Sequence, residues 1–234
     1  MSVAAGTLAG VRALLDLVLP AECGGCGNPG SGWCERCRRA LADVPVAVSP
    51  RVDPDVPVWA LGPYSGPRRS AIIAAKERGR RDLADPIGVA LARAIATLRR
   101  WGELSPPASA PLCLVPAPSR PRAARARGGD PVLRAARAAA RVVGDGCRVH
   151  PVLSTRRGVR DSVGLSAAER QENLAGRIRV SPSGRADLWA AVRAGAEVVL
   201  IDDVVTTGAT AAESVRACAA VGVRVAATLV VAAA

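Results

Sequence analysis

Two groups of residues in this chain have the types and spacing to do chemistry. The first is "VVLIDDVVTTGAT", Val198 to Thr210, where an apolar run delivers two adjacent carboxylates and then hydroxyls around a glycine. A buried strand that passes at once into a helix puts the connecting turn at the carboxyl edge of an α/β sheet, where ligands bind. Free amides at the helix start, the hydroxyls of Thr206, Thr207 and Thr210, and the positive helix end suit a phosphate monoester. Gly208 and the small Ala209 let the backbone come close. With Asp202 and Asp203 a few residues upstream, the spacing suggests a sugar phosphate whose hydroxyls meet the acids. A strand that simply ends in solvated acids before a helix cap is the competing reading. The run is not a Walker-type loop, since no G-x-x-x-x-G-K-[ST] occurs.

The second group is "CGGCGNPGSGWCERC", which places Cys23, Cys26, Cys34 and Cys37 in a C-x2-C-x7-C-x2-C arrangement. Two such turns supply four thiolates to a tetrahedral Zn2+, and four cysteines leave no position for water, so the zinc would be structural. Gly27 follows the first pair, where a positive φ helps amides turn toward the sulfurs. Vicinal disulfides or reduced pairs, and an iron–sulfur cluster, are the alternatives. Cys113, Cys147 and Cys218 lie in apolar or helical surroundings and read as packing residues.

These groups need elements to position them. At 234 residues, half of them apolar, the chain can bury one main core with a small appendage. Helical periodicity runs through Leu8, Val11, Leu14, Leu15 and Val18, through "RRSAIIAAKERGR", and through "LADPIGVALARAIATLRRW" with Pro86 in the first turn. Strands are expected at "VWALGPY", "LCLVPAP", "GRIRV", "AEVVLIDD" and "VRVAATLVVA". Further helices are expected from about Val132 to Val143, in "ADLWAAVRAG", and from about Ala209 to Val221. Ser166 and Glu169 have capping-box spacing. The alternation points to a parallel sheet covered on both faces. The organisation is a helix and four-cysteine ribbon over 1–42, an extended proline- and valine-rich linker over 43–57, and the main domain over 58–234.

The charge is +12, from 32 basic and 20 acidic residues, and Lys76 is the only lysine. Arginine codon bias and a phosphate-rich partner explain this equally well. No stretch offers the roughly 20 uninterrupted apolar residues of a membrane span. The N-terminus lacks the basic region of a signal peptide, so a cytoplasmic location is expected.

"VVLIDDVVTTGAT" resembles the thirteen-residue phosphoribosyl-pyrophosphate (PRPP) motif of type I phosphoribosyltransferases. That resemblance implies that Asp202 and Asp203 hold the ribose 2′- and 3′-hydroxyls and that Thr206–Thr210 hold the 5′-phosphate. The ribbon, then "YSGPRRSAIIAAKERG", "LVPAPSRPRAARARG", "LSAAERQENLAG" and the PRPP motif occur in the order seen in the ComF family, which the chain resembles from about Leu14 onward. The resemblance implies a type I phosphoribosyltransferase fold, PRPP bound with Mg2+, and a link to competence and DNA uptake. It places "VPAPSR" on the pyrophosphate side, with Arg120, Arg127 and Lys76 as catalytic candidates beside Arg122 and Arg125. Two departures fall in segments expected at the site opening. The family's R-G-[FY]-N-Q is "RGGDP" here, Arg127 to Pro131, and its R-x-T-x-x-Q has Arg157, Val159 and Ser162.

In this class the pyrophosphate leaves C1 through an oxocarbenium-like state and a nitrogen nucleophile attacks, so no protein nucleophile is needed. The lone His150 reads as a surface residue. No N-terminal cysteine nucleophile and no second catalytic domain supply a glutaminase half, which leaves free ammonia or another amine as acceptor. The rival expectation is a PRPP-sensing protein that binds single-stranded DNA or works with competence or recombination proteins. The absence of Phe and the spread of Tyr64 and four Trp argue against base stacking, so such binding would rest on phosphate contacts.

Overall fold

In the computed structural model, residues 21–119, 129–155 and 176–234 are described. The N-terminal periodic stretch, Arg120, Arg122, Arg125 and Arg127, the Arg157–Ser162 departure and the Ser166/Glu169 pair lie outside them.

The four-cysteine segment runs into a short helix, α1 (Glu35–Leu41). Then come β1 (Val46–Val48), β2 (Val58–Ala60), α2 (Gly66–Glu77) and α3 (Ala84–Trp101). Next are β3 (Leu112–Pro116), α4 (Pro131–Val143), β4 (Cys147–Val149) and β5 (Leu153–Thr155). The chain ends with β6 (Ile178–Val180), α5 (Pro182–Arg193), β7 (Glu197–Val205), α6 (Ala209–Ala219) and β8 (Val225–Ala233). Six strands form one sheet in the order β1-β2-β8-β7-β3-β4, parallel throughout except for β1. β5 and β6 pair antiparallel as a separate ladder.

The parallel strands are apolar on both faces because helices cover both. Val199 and Ile201 of β7 join Ala227, Leu229 and Val231 of β8 in a core shared with α2, α3 and α4. Val198 and Leu200 join Ala211, Ala217 and Cys218 of α6 and Leu188 of α5 in the other. The β7–β8 register shifts between Val198 and Val199, which turns Val225 toward the second core and Ala227 toward the first. The chain is therefore a mixed α/β domain with a mostly parallel sheet flanked by helices. Among the described residues, no helix is long and apolar enough to cross a membrane.

Several elements run differently from their sequence signals. β7 continues to Val205, past the two acids, because β8 offers partners as far as Ala233. Within the stretch 43–57, three residues become the antiparallel edge strand β1, and the rest bends, with Asp55 at φ +59°. The α5 helix starts at Pro182, ahead of the periodic run, because the Ser181 hydroxyl accepts from the Gly184 amide and caps it.

α3 and α4 cross closely at Gly88. A Cβ there would fall 2.3 Å from Ala138 Cβ and 2.7 Å from the Ala139 amide nitrogen. Gly88→Val is expected to cost about 1–3 kcal/mol or more by overpacking. Urea denaturation should show a lower midpoint with an unchanged slope.

Candidate functional site

β7 carries Ile201 into the core and then presents Asp202 and Asp203, both half-buried, at the carboxyl edge of the sheet. The strand continues through Val204 and Val205, and the turn Thr206–Gly208 leads directly into α6. Gly208 is the N-cap residue with φ +89°, a conformation that L side chains rarely adopt. Thr206 is exposed and Thr207 buried, and the Thr207 hydroxyl accepts from the Ala209 amide at 3.3 Å. Thr210 is half-buried in the first turn of α6.

Lys76, near the end of α2, places Nζ 2.6 Å from Asp203 Oδ2. Sequence spacing could not join residues so far apart; the core that α2 shares with β7 and β8 does. Asp202 accepts the Asp203 amide at 2.8 Å. Burial, reinforced by the neighbouring Asp203 charge, pushes the Asp202 carboxyl up to about 7, against the pull of Lys76. Beneath the acids lies a cavity of about 20 Å³ bounded by Lys76, Ile72, Leu91 and Val132. It has room for a single water.

Asp130 caps α4 by accepting from the amides of Val132 and Leu133 at 2.9 and 3.2 Å, with Pro131 at the first helical position. "DP" is thus a helix start, and its carboxylate adds to the negative field that raises Asp202. His150 is half-buried, and its amide donates to the Leu114 carbonyl. Burial pushes its imidazole down.

A contact that motif reading missed holds the turn from behind. The Val52 amide donates to the Thr207 carbonyl at 2.8 Å. A Cβ on Gly208 would fall 2.3 Å from the Val52 carbonyl oxygen and 2.7 Å from Pro50 Cβ. In a planar trans peptide, C=O and N–H point in opposite directions. Anchoring the Thr207 carbonyl on Val52 therefore turns the Gly208 N–H away from the 50–52 strap.

The four thiols of Cys23, Cys26, Cys34 and Cys37 form a second site, with all sulfurs within 4.8 Å of one another and Cys26 and Cys34 3.6 Å apart. Sulfurs on a tetrahedral zinc with Zn–S near 2.3 Å stand about 3.8 Å apart, so the set fits the ion. Gly27 has φ +77°, and its amide donates to the Cys23 carbonyl. A Cβ on Gly25 would meet Cys37 Sγ at 2.7 Å, so that glycine allows the sulfurs to gather. The second pair sits at a helix start, with Cys34 as N-cap and Cys37 inside α1. Burial alone would push the Cys23 thiol up, but amides of Cys34, Cys26 and Gly25 aimed at its sulfur bring it down to about 6. Burial and the other three thiols push Cys37 well up. Arg80 fastens the cluster to the main domain through the carbonyls of Glu22 and Gly32 while pairing with Asp82. Cys113, Cys147 and Cys218 are buried, and burial pushes their thiols up to about 12, 11 and 11.

No family model matches the chain, and no curated protein matches it either.

Two measurements check these sites. Metal analysis of the purified chain should give about one zinc per chain, and Cys37→Ser should lose it; zinc retained at full occupancy in Cys37→Ser would refute the assignment. For the acids, Asp202 binds its proton more tightly folded than unfolded, so wild-type stability falls as pH rises from about 4 to about 7. Asp202→Asn removes this loss. At pH 8 it should be more stable than wild type by on the order of 1 kcal/mol, allowing for solvent screening, and the gain should vanish near pH 4 in thermal melts.

Proposed function

We propose that this chain is a ComF-type, phosphoribosyltransferase-like protein that binds PRPP with Mg2+ at the carboxyl edge of its sheet, and that its fold is that of the type I phosphoribosyltransferases. One observation carries the reading: adjacent carboxylates at the end of a central parallel strand, followed at once by a Thr/Gly turn into a helix N-terminus. Asp202 and Asp203 accept from the ribose 2′- and 3′-hydroxyls. The amides and hydroxyls of Thr206–Thr210 take the 5′-phosphate, helped by the positive end of α6.

Mg2+ comes with the pyrophosphate and neutralises its charge as it leaves. The protein's part is orientation and electrostatic stabilisation. Lys76 neutralises Asp203 in the ligand-free chain and stands close enough to move its charge toward an anionic ligand. The acceptor would be ammonia or another amine or base. The four-cysteine cluster is a structural zinc ribbon that braces the domain.

A second reading, a PRPP-responsive protein that binds single-stranded DNA, draws on the exposed Arg36, Arg38 and Arg39 of α1 together with the +12 charge. It predicts oligonucleotide affinity that falls steeply with salt.

Calorimetric titration with PRPP and Mg2+ tests the main reading. Wild type should bind, and Asp202→Asn/Asp203→Asn, which keeps side-chain shape, should weaken binding by about 100-fold or more through lost charge-assisted hydrogen bonds. Absence of wild-type binding overturns the PRPP assignment. Binding without pyrophosphate release across a panel of amines and bases would favour the sensing role over catalysis.

A further inference from the structure

A groove of about 610 Å³ lies far from the acid pair, between the C-terminal half of α3 and the end of α4. Its floor is Ala92, Ile95 and Ala96, its far wall Val142 and Val143, and Pro106 and Pro107 close one end. Val142 is 53% exposed, an apolar side chain left in solvent at the groove wall. The rim carries Arg93, Arg99 and Arg100. No acidic residue lines the groove, and none of these arginines belongs to an ion pair among the described residues. Arg99 leaves its buried Nε without a partner and donates only a long 3.3 Å bond to the Ala110 carbonyl.

The groove is preformed. The Ser105 amide donates to Glu197 at 2.8 Å, and the amides of Ser109 and Ala110 donate to the Pro106 carbonyl, so the diproline turn is tied to the first residue of β7. Glu197 begins that strand and Asp203 lies near its other end, about 20 Å away at 3.3 Å per residue. The groove thus sits toward the amino edge of the sheet, where a small-molecule substrate of an open α/β fold is not expected.

We propose that this groove docks an acidic amphipathic helix of a partner protein. Ala92, Arg93, Ala96, Arg99 and Arg100 lie at i, i+1, i+4, i+7 and i+8, a single face of α3. The small, exposed Ala96 lets another helix come close over the buried Ala92, and the arginines stand where its carboxylates would lie. Helix-in-groove docking reads side chains at just this spacing. An extended peptide would need free backbone groups on the groove wall. The α3 interior has spent its own on helix bonds, and Pro106 and Pro107 have no N–H to offer. Nucleic acid would use the arginines and leave the apolar floor uncovered.

The probe is a fluorescent amphipathic peptide of about 18 residues, long enough to hold a helix when bound, with leucines along one face and glutamates flanking them. Its twin carries lysine at every glutamate. Anisotropy with the full chain should show the acidic peptide binding at least ~10-fold tighter than its twin, and Arg93→Glu/Arg100→Glu should reverse that preference. Both rim residues are exposed, so the double variant should fold as wild type does. Ala96→Trp, at an exposed floor position, should weaken the acidic peptide by filling the groove. Equal binding of the twins, no binding of either, or insensitivity to these variants overturns the proposal. So does binding of phosphatidylglycerol vesicles or duplex DNA that Arg93→Glu/Arg100→Glu abolishes while the acidic peptide fails to bind. PRPP titration is a separate readout, so the outcome is independent of the carboxyl-edge site.

Discussion

Two carboxylates on neighbouring residues at the end of a buried strand cannot both ionise cheaply without a cation beside them. The arrangement around β7 answers that constraint. Asp203 takes Lys76 as its counter-ion, and Asp202 relieves the remaining repulsion by holding its proton up to about pH 7. For Lys76 to arrive, α2 must lie against the sheet with Ala71, Ile72 and Ala75 buried, so its apolar stripe and its one lysine serve the same placement. α3 and α4 then pack close enough at Gly88 to shield the acids from the same side. A less crowded edge would leave two ordinary solvated aspartates.

The cysteine cluster meets a similar constraint with different atoms. Four thiols gathered within a few ångströms repel once more than one ionises; backbone amides bring the Cys23 thiol down, while burial and its neighbours push Cys37 up. In both places like charges are brought together and the structure supplies, or leaves room for, the positive partner. The difference is that Lys76 belongs to the chain, whereas the four thiols are spaced to take an ion.

What was legible in the sequence is what has a period or a fixed spacing. The long helix α3, the apolar strands β3, β7 and β8, the acid pair before its Thr/Gly turn and the cysteine spacing could each be read locally. The short strands β1 and β4 could not, because unlike β2 and β6 they sit in no longer apolar or β-branched run and exist only through their neighbours. α1 hid inside the second cysteine pair, whose spacing suits a turn and the first residues of a helix alike. The Lys76–Asp203 pair joins residues 127 positions apart (203 − 76), and only tertiary packing brings them together. Burial, which moves Asp202 most, was legible for the apolar strand but not for the acid at its end.

The Val52–Thr207 contact makes the length of the preceding segment a dimension of the site. β1 is fixed to β2 in register through Val48↔Val58, and only three residues separate Val48 from Val52. Asp43, further back, is held by Arg68 of α2. Adding or deleting one residue between 49 and 51 would not merely shorten a tether. It would displace the rail against which the Thr/Gly turn is set, and the turn would feel an edit made more than 150 positions upstream. The stretch that looks most like spacer in the amino-acid sequence is in this sense the gauge that sets where Gly208 can sit.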